Sequence, residues 1–433
     1  MKKAVVVLAL LLSMAMLVAG GSKESGPVTL EFWYENAGPA RTPYIEELIS
    51  RFEAENPDIK VHLVALANSE AKQKYDVAVA SKETPDVAGF QCQWLSGYIM
   101  NGALCPLDDY LASWDEYEDQ SPTIINGIRA IASDNKLYMM PNSYNYGPMY
   151  WARADWYAEK GLKAPETWDE FFSNIEATTD PANGTYGYSI RGGAGGPDEL
   201  TYLMYAYSGI DYPFTEDGKS TINDPKHVEI IQRIVDLYGV CTPQSDITNA
   251  YKELVAAFDS GTVGCIQHNL GSYGEHSQAL EQDQFFAFVA PLADNGKRVA
   301  SFASNAVGFG MFNNSKHKEE AFRFISFMCS AESQSYFNQI SGQLPISQTA
   351  ANEDWVQERQ HLAVVVDAVN GETTVSFPFP YYLPDYAAIN SSVAQPAFQA
   401  VLAGQITVED FLDQWADALT AAYAEYNEYV VGK

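Results

Sequence analysis

The sequence predicts an α/β protein built around a parallel sheet. Residues 28–34 are rich in β-branched and aromatic side chains, as in a buried strand. Residues 43–56 then place apolar side chains at the spacing of an amphipathic helix, and residues 59–63 return to strand-like alternation. A second helical stretch at 69–81 leads to the short apolar run 87–90. This strand–helix–strand–helix–strand order is typical of parallel sheets.

The first helix has start and stop signals. Thr42 is predicted to cap it, and Pro43 suits its first turn because a proline there loses no helical hydrogen bond. Asn56 precedes Pro57, and a residue before proline is disfavoured in the helical conformation. The helix is therefore expected to end at Asn56.

A second unit is predicted to begin around Tyr146. Thr167, followed three residues later by Glu170, predicts a capping box that opens a helix. Trp168 is expected to anchor that helix as a structural residue. The glycine-rich stretch 189–197 predicts a loop whose backbone can approach another group closely.

Two later helices follow from the same apolar spacing. Residues 318–338 and 408–426 repeat apolar side chains three and four positions apart, and Thr407 is predicted to cap the second of these helices.

The first 21 residues have the layout of a secretory signal peptide. Lys2 and Lys3 precede an apolar run that ends in small residues at 19–21. A membrane anchor is the competing interpretation, but the run is about 15 residues long and a spanning helix needs about 20. Export with cleavage is therefore favoured. Gly21 stands where a bacterial lipoprotein would carry its lipid-bearing cysteine, so a lipid anchor is not expected.

Length and charge limit the function classes. The chain has 433 residues, 47% of them hydrophobic, which is enough for two or three domains with a large core. Its 56 acidic and 26 basic residues give a formal charge of -30, which repels phosphate backbones and anionic lipid. Nucleic acid is not expected as a partner, and a strongly anionic ligand would need a local basic pocket. Solubility after export is the simplest explanation of the acidity.

The five cysteines do not form a recognisable framework. Their count is odd and no CxxC spacing occurs, so neither a disulfide scaffold nor a zinc site is predicted. A Cys92–Cys105 bridge and buried free thiols stay open as alternatives.

Catalytic and cofactor signatures fail. The six histidines show no HExxH or paired ligand spacing, so no metal site is predicted. Asp198 occupies the place of the last glycine of a dinucleotide fingerprint, and no cofactor is expected. A glycosidase needs only two carboxylates brought together in space, so a secreted glycoside hydrolase stays open as an alternative.

Aromatic residues stand beside amide and acidic residues at several places. Sugars offer apolar C–H faces and rims of hydroxyl groups, so their sites use flat rings for stacking and amides or carboxylates for hydrogen bonds. Clusters of this composition occur at Tyr34–Asn36, Gln93–Trp94, Tyr144–Asn145, Asn269 with Tyr273, and Tyr381–Tyr382. Taken singly, each cluster is better explained by core packing than by ligand binding.

A set of short motifs follows a particular order along the chain. They are Thr29–Trp33, Asn56–Val61, Pro85–Val87, Gly102–Asp108, Lys136–Pro141, Tyr150–Asp155, Thr167–Phe171, Phe258–Gly261, Lys318–Phe327, Gly342–Pro345 and Val401–Gln405. In this order they resemble the extracellular solute-binding proteins of ABC transporters, specifically the family that includes maltose-binding and other sugar-binding proteins.

The resemblance implies a periplasmic-binding-protein fold, with two α/β lobes, a ligand cleft between them and closure by hinge motion. It implies a first lobe at 22–143 and 297–335 and a second lobe at 144–296 and 336–433. The segment Lys136–Phe171 is then the place where the chain crosses between lobes.

The resemblance also implies ligand contacts, by position. Those of the first lobe are Glu35, Asn36, Gln93 and Trp94. Those near the crossings are Tyr144, Asn145 and Asn305, and those of the second lobe are Gly193, Asn269 and Tyr273, with Tyr386 as a late candidate. Tyr273 is the expected stacking ring.

The implied function is that of a carrier and not of an enzyme. A monomeric periplasmic or extracytoplasmic protein is expected to bind a mono- or oligosaccharide and deliver it to a membrane permease. A carrier for a non-sugar solute such as a polyamine stays open as an alternative.

Overall fold

A five-stranded sheet and a three-stranded sheet organise the chain into two lobes, and residues 298–300 and 374–376 pair in a third, two-stranded sheet. The computed structural model describes residues 26–39, 41–303 and 305–431. The expected signal peptide, residues 1–21, lies outside the described residues.

The strands are β1 (Val28–Tyr34), β2 (Ile59–Ala65), β3 (Val87–Gln91), β4 (Met140–Tyr144), β5 (Met149–Arg153), β6 (Cys265–Gln267), β7 (Phe285–Val289), β8 (Arg298–Ala300), β9 (Ala306–Met311) and β10 (Thr374–Ser376).

The α-helices are α1 (Thr42–Glu55), α2 (Asn68–Ser81), α3 (Cys92–Met100), α4 (Asp108–Leu111), α5 (Pro122–Arg129), α6 (Ala154–Lys160), α7 (Trp168–Ala177), α8 (Gly196–Ser208), α9 (Pro225–Leu237), α10 (Tyr251–Asp259), α11 (Tyr273–Ala279), α12 (Lys318–Met328), α13 (Ala331–Ser341), α14 (Gln348–Ala351), α15 (Asp354–Glu358), α16 (Gln360–Val369), α17 (Tyr386–Ile389), α18 (Gln395–Leu402) and α19 (Val408–Val431). Short 3₁₀ turns lie at Asp115–Asp119, Pro181–Asn183, Gln244–Ile247 and Leu270–Ser272, and a π-turn at Asn390–Ala394.

The sheet of the first lobe has the order β2-β1-β3-β9-β4. β1 is parallel to β2 and β3, whereas β9 is antiparallel to β3 and β4. The parallel part confirms the prediction from the strand and helix order. Its core contains Phe32, whose ring packs edge-on against Phe324 of α12 at 5.1 Å, so a late helix of the chain covers the first strand.

The sheet of the second lobe has the order β6-β5-β7, with both neighbours antiparallel to β5. Trp151 of β5 is fully buried. Helix α16 packs on β7, where Ala287 N–H donates to Gln360 Oε1 at 2.8 Å and Gln360 Nε2 donates to Ala287 O at 2.7 Å.

Two chain segments connect the two larger sheets side by side, one from β4 to β5 and one from β7 through β8 to β9. Gly147 and Ser301 exchange backbone hydrogen bonds of 3.0 and 2.7 Å, and Asn145 N–H donates to Asn305 O at 2.8 Å. This pairing joins the predicted crossing to the returning segment. The residue boundaries of the lobes, which the sequence puts at 143/144, 296/297 and 335/336, stay a prediction.

The capping signals had mixed outcomes. The capping box at α7 is confirmed, since Glu170 N–H donates to Thr167 Oγ1 at 3.2 Å and Thr167 N–H donates to Glu170 Oε2 at 3.3 Å. Thr407 accepts a hydrogen bond from Asp410 N–H at 3.0 Å, as predicted for α19. The prediction that Thr42 caps α1 is wrong, because Thr42 lies inside the helix and its Oγ1 accepts from Gly38 N–H at 2.9 Å.

The single helix predicted at 318–338 is wrong as well. The chain forms α12 and α13 instead, with a break at Cys329 and Ser330. Ser330 has an extended backbone and its Oγ accepts from Ser333 N–H at 3.3 Å, so a serine cap restarts the helix. Apolar spacing continues through this break, which is why the sequence pattern did not reveal it.

The suggested Cys92–Cys105 disulfide is wrong. All five cysteines are free and buried, which was the other alternative. The Cys92 thiol donates to Ala306 O at 3.0 Å, and burial raises the pKa of this thiol to about 12. Among the described residues no helix has the length and apolar character needed to cross a membrane.

Candidate functional site

Glu35 follows the carboxyl end of β1, the edge of a parallel sheet where ligands commonly bind. Its side chain is only 3% exposed, and Oε2 has no hydrogen-bond partner within the part of the chain that the structure describes. A Cβ at Gly89 of β3 would lie 1.9 Å from this oxygen, so the glycine provides the space for the carboxyl group. Burial raises the pKa of Glu35 to about 7.

Arg41 extends from the first lobe to the second. Its guanidinium faces Tyr251 and Glu275, and its Nη2 lies 3.0 Å from the position that a Cβ on Gly271 would take. Tyr251 OH in turn donates to Glu275 Oε2 at 3.5 Å. Nε of Arg41 is buried and finds no acceptor among the described residues. The side chain therefore connects the lobes while retaining a free donor.

His268 lies beneath Tyr251, with 4.3 Å between the ring centroids. It is 2% exposed, and neither ring nitrogen has a partner among residues 26–39, 41–303 and 305–431. Burial, with the charge of Arg191 as the next cause, lowers its pKa well below the usual value. A neutral imidazole has one donor and one acceptor, which matches the bonding capacity of a hydroxyl group.

Asp198 and Glu199 lie in the first turn of α8. Glu199 accepts from Gln267 Nε2 at 2.7 Å and pairs with Arg191 at 3.4 Å, and Asp198 accepts from Asn390 Nδ2 at 3.0 Å. Burial raises the pKa of Asp198 to about 6 and that of Glu199 to about 7. These acids, unlike Glu35, have several partners.

We use the name cleft cluster for the eight residues that these contacts connect: Glu35, Arg41, Arg191, Asp198, Glu199, Tyr251, His268 and Glu275. The cluster joins both lobes through Arg41. It combines buried charges with donors and acceptors that are left open.

The sequence profile of the bacterial extracellular solute-binding protein family matches residues 38–335, more than half of the 433 residues. The chain belongs to this family. The family description implies an extracytoplasmic location, and the two-lobed fold with its cleft is the one expected from the sequence.

Similar proteins of known structure and sequence support the assignment. A substrate-binding protein of Listeria monocytogenes, solved in complex with cycloalternan, has a TM-score of 0.77 and 20% identity over 92% of this chain and 99% of its own. The multiple sugar-binding protein of Streptococcus mutans is 24% identical over 362 residues, 78% of this chain and 79% of its own. The sn-glycerol-3-phosphate-binding periplasmic protein of Agrobacterium fabrum is 23% identical over 352 residues, 75% of each chain.

Three residues expected to contact ligand connect to the cleft cluster or the crossing of this solute-binding protein. Glu35 belongs to the cluster itself. Tyr386 is buried and its OH donates to Asp198 Oδ1 at 3.5 Å. Asn305 Nδ2 donates to Tyr202 OH at 3.1 Å, beside the paired crossing segments.

Two further expected residues lie at the crossing. Asn145 bonds to Asn305 through the backbone, and its Oδ1 accepts from Gln343 Nε2 at 3.3 Å. Tyr144 is half-buried at the end of β4, and its N–H donates to Leu344 O at 2.9 Å. The crossing therefore holds both residues by backbone bonds.

The remaining first-lobe residues lie at the ends of strands β1 and β3. Asn36 is half-buried in the turn after β1. Gln93 is half-buried, with Nε2 donating to Gln91 Oε1 at 3.1 Å. Trp94 is mostly buried, with its ring edge-on to Tyr75 at 5.9 Å.

The second-lobe residues already have protein partners. Tyr273 stacks one ring face on His361 at 4.1 Å, and the backbone oxygen of Asn269 accepts from Trp151 Nε1 at 3.2 Å. A Cβ at Gly193 would lie 2.4 Å from Thr248 O, so close backbone packing explains this glycine. The ligand-binding roles of these three residues stay predictions.

Seven members of the cleft cluster were not foreseen from the sequence. A weak signal existed for Asp198 and Glu199, which follow the glycine loop, and for His268, which precedes Asn269. Arg41, Tyr251 and Glu275 had none, because their proximity depends on the contact between the lobes.

Proposed function

We propose that this protein is the carbohydrate-binding component of an ABC transporter, which binds a sugar between its lobes and delivers it to a membrane permease. The observation that carries the proposal is the open hydrogen-bonding capacity of the cleft cluster in a chain of the solute-binding family. A buried polar group without a partner costs about 1–3 kcal/mol, so such groups at a lobe contact are expected to receive a ligand.

The chemistry of the open atoms supports a hydroxyl-bearing ligand. The carboxylate of Glu35 accepts, Nε of Arg41 donates, and neutral His268 does both. Tyr251 packs on His268, and Tyr202 and Tyr386 contact Asn305 and Asp198, so aromatic surface is available for the C–H faces of a sugar. The cycloalternan bound by the similar protein from Listeria monocytogenes and the name of the multiple sugar-binding protein from Streptococcus mutans support the same ligand class.

The finer assignments are part of the proposal. The ligand contacts are the eleven residues expected from the sequence together with the other members of the cleft cluster. The protein is a monomer, and its lobes separate at the paired segments around Gly147 and Ser301, which admits the ligand.

A sugar panel tests the proposal. Thermal unfolding is measured with maltose, maltotriose, raffinose, D-glucose, D-mannitol and ribitol, and separately with spermidine. A ligand that binds only the folded state stabilises it by about 2.7 kcal/mol at 100 times its dissociation constant. Stabilisation by at least one sugar is expected. Stabilisation by spermidine alone would contradict the carbohydrate assignment, and release of monosaccharide would favour the hydrolase alternative.

Arg41→Ala tests the location of the site. Loss of a charged hydrogen-bonding group that connects the lobes is expected to weaken binding of the stabilising sugar by about ten-fold or more, measured by titration calorimetry. Arg51→Ala is the matched control, since Arg51 lies on the exposed side of α1 and pairs with Glu47 at 2.9 Å. Equal affinities in the two variants would place the sugar elsewhere.

A further inference from the structure

We infer that the ligand is an uncharged carbohydrate and that Glu35 is the residue that selects against anionic ones. This inference rests on the proposed function and deepens it, because it names the substrate class within a family whose members differ in this respect. The similar Agrobacterium fabrum protein is named for an anionic ligand, sn-glycerol 3-phosphate.

The charges of the cleft cluster favour a neutral ligand. Within the cluster the carboxyl groups are Glu35, Asp198, Glu199 and Glu275, and the cations are Arg41 and Arg191. Above pH 7, where Glu35 and Glu199 are ionised, an anion that enters the cluster therefore meets an excess of like charge. The formal charge of -30 for the whole chain does not offset that repulsion.

Both arginines of the cleft cluster already have protein partners. Arg191 donates through Nε to Ala194 O at 2.7 Å and through Nη1 to Glu199 Oε1 at 3.4 Å. Arg41 is hydrogen-bonded to Tyr251 and lies near Glu275, and its Nε has no acceptor among the described residues. A phosphate that bound Arg191 would take it from the buried Glu199 carboxylate, which would lose its ion pair.

The open atoms point to the same class. Oε2 of Glu35 needs a donor, and a hydroxyl group supplies one while accepting from Arg41 Nε–H or from His268. A phosphate dianion has no proton to donate, so Oε2 would stay without a partner and would face a like charge. A hydroxyl group beside Glu35 therefore gives Oε2 a hydrogen-bond donor, whereas a phosphate group at the same position does not.

The position of Glu35 is built into the sheet. Gly89 of β3 leaves the space in which the Glu35 carboxyl group lies, and Arg41 follows on the same connection from β1 to α1. The carboxyl group is therefore held at the base of the cleft cluster and is not a mobile surface acid.

The test compares neutral and anionic forms of one sugar at pH 8, above the raised pKa of Glu35. Affinities are measured by titration calorimetry for D-mannitol, maltose and D-glucose, each beside its monophosphate ester. In the wild-type protein each bound neutral sugar is expected to bind at least ten-fold more tightly than its ester. An ester that binds as tightly as its parent sugar would overturn the inference without affecting the proposed function.

The substitution Glu35→Gln tests whether Glu35 is the residue that selects against anionic sugars. The amide removes the charge and keeps the shape, so the ratio of parent-sugar affinity to ester affinity is expected to fall by about ten-fold. Glu31→Gln makes the same change on the exposed side of β1, where Glu31 accepts from Trp33 Nε1 at 2.5 Å, and is expected to leave the ratio unchanged. Equal ratios in both variants would overturn the role of Glu35. Absence of binding by every neutral sugar would overturn the proposed function together with the inference.

Discussion

Two buried carboxyl groups in this protein differ in one respect. Asp246 in the second lobe is fully buried and accepts from Ser189 Oγ at 2.9 Å, Ile190 N–H at 2.6 Å and Asn249 Nδ2 at 2.9 Å. Glu35 in the cleft cluster is buried to nearly the same degree, yet its Oε2 has no partner among the described residues. Burial raises the pKa of each to about 7.

The difference in hydrogen bonding suggests different roles for the two acids, a structural one for Asp246 and a ligand-binding one for Glu35. Both carboxyl oxygens of Asp246 accept hydrogen bonds, and these bonds connect residues 189–190 to residues 246–249 within the second lobe. The carboxyl group of Glu35 is removed from water, but its Oε2 receives no hydrogen bond in exchange. Such a group is expected where a ligand supplies the missing donor. Burial and a raised pKa are common to both acids and do not distinguish them, so the open hydrogen-bonding position is the basis on which we propose that Glu35 binds ligand.

The largest expected effect is on Asp246. Asp246→Ala leaves two buried donors, Ser189 Oγ and Ile190 N–H, without an acceptor and should lower the free energy of unfolding by about 3 kcal/mol or more. Urea denaturation measures this loss. Asp236→Ala, which removes an exposed acid from α9, is the control and should change stability by less than about 0.5 kcal/mol. Similar losses in the two variants would show that the bonds to Asp246 contribute little.

Glu35→Gln should change stability in the opposite direction. The folded pKa of Glu35, about 7, is above the usual value of 4.5 for a glutamate, so the folded state binds the proton more tightly than the unfolded state. The contribution of the Glu35 carboxyl group to the free energy of unfolding is complete below pH 4.5 and is lost as the pH rises through 7. Without ligand, the variant is therefore expected to be more stable than the wild type at pH 8, by up to about 3 kcal/mol. At pH 5 the difference in stability between the two proteins is expected to be smaller.

Urea denaturation at both pH values measures this difference. Because the other buried acids are present in both proteins, the difference between wild type and variant reports on Glu35. A variant that is less stable than the wild type at pH 8 would mean that Glu35 is bonded in the way Asp246 is, and the comparison would fail.

Tyr273 gives a smaller effect with two readouts. The sequence predicts that its ring stacks on the sugar, and the structure places one ring face on His361. Tyr273→Ala should cost about 2 kcal/mol of stability through the lost ring contact and should also weaken sugar binding. Tyr110→Ala removes a half-buried ring that stacks on Phe322 at 5.4 Å in the first lobe, and should affect stability alone. Unchanged sugar affinity in Tyr273→Ala would remove its stacking role.

Local signals predicted local structure well where no competing partner was available. The Thr167 capping box formed because all its donors and acceptors lie within four residues. Thr42 carried a similar signal but bonds to Gly38 in the preceding turn, so a competing backbone group decided its role. The break between α12 and α13 was hidden because apolar spacing passes through it.

The candidate site was predicted less completely than the fold. Glu35 was identified because it directly follows the first strand, and the end of a strand is readable from sequence. Arg41 lies six positions later and carried no signal, although its side chain makes the contact between the lobes. Tyr251 and Glu275 come from distant parts of the chain, and no short-range pattern relates them to Arg41.

The sequence by itself determined the α/β elements of the first lobe, the order of family motifs and the acidic charge, because each depends on residues near one another or on composition. Tertiary structure alone decided which buried acid is bonded and which is left open. Asp246 and Glu35 are both single acidic letters in the sequence, and their difference arises from donors that the fold brings to one and withholds from the other. Hydrogen bonds of this kind depend on distances between remote segments, and those distances exist only once the chain has folded.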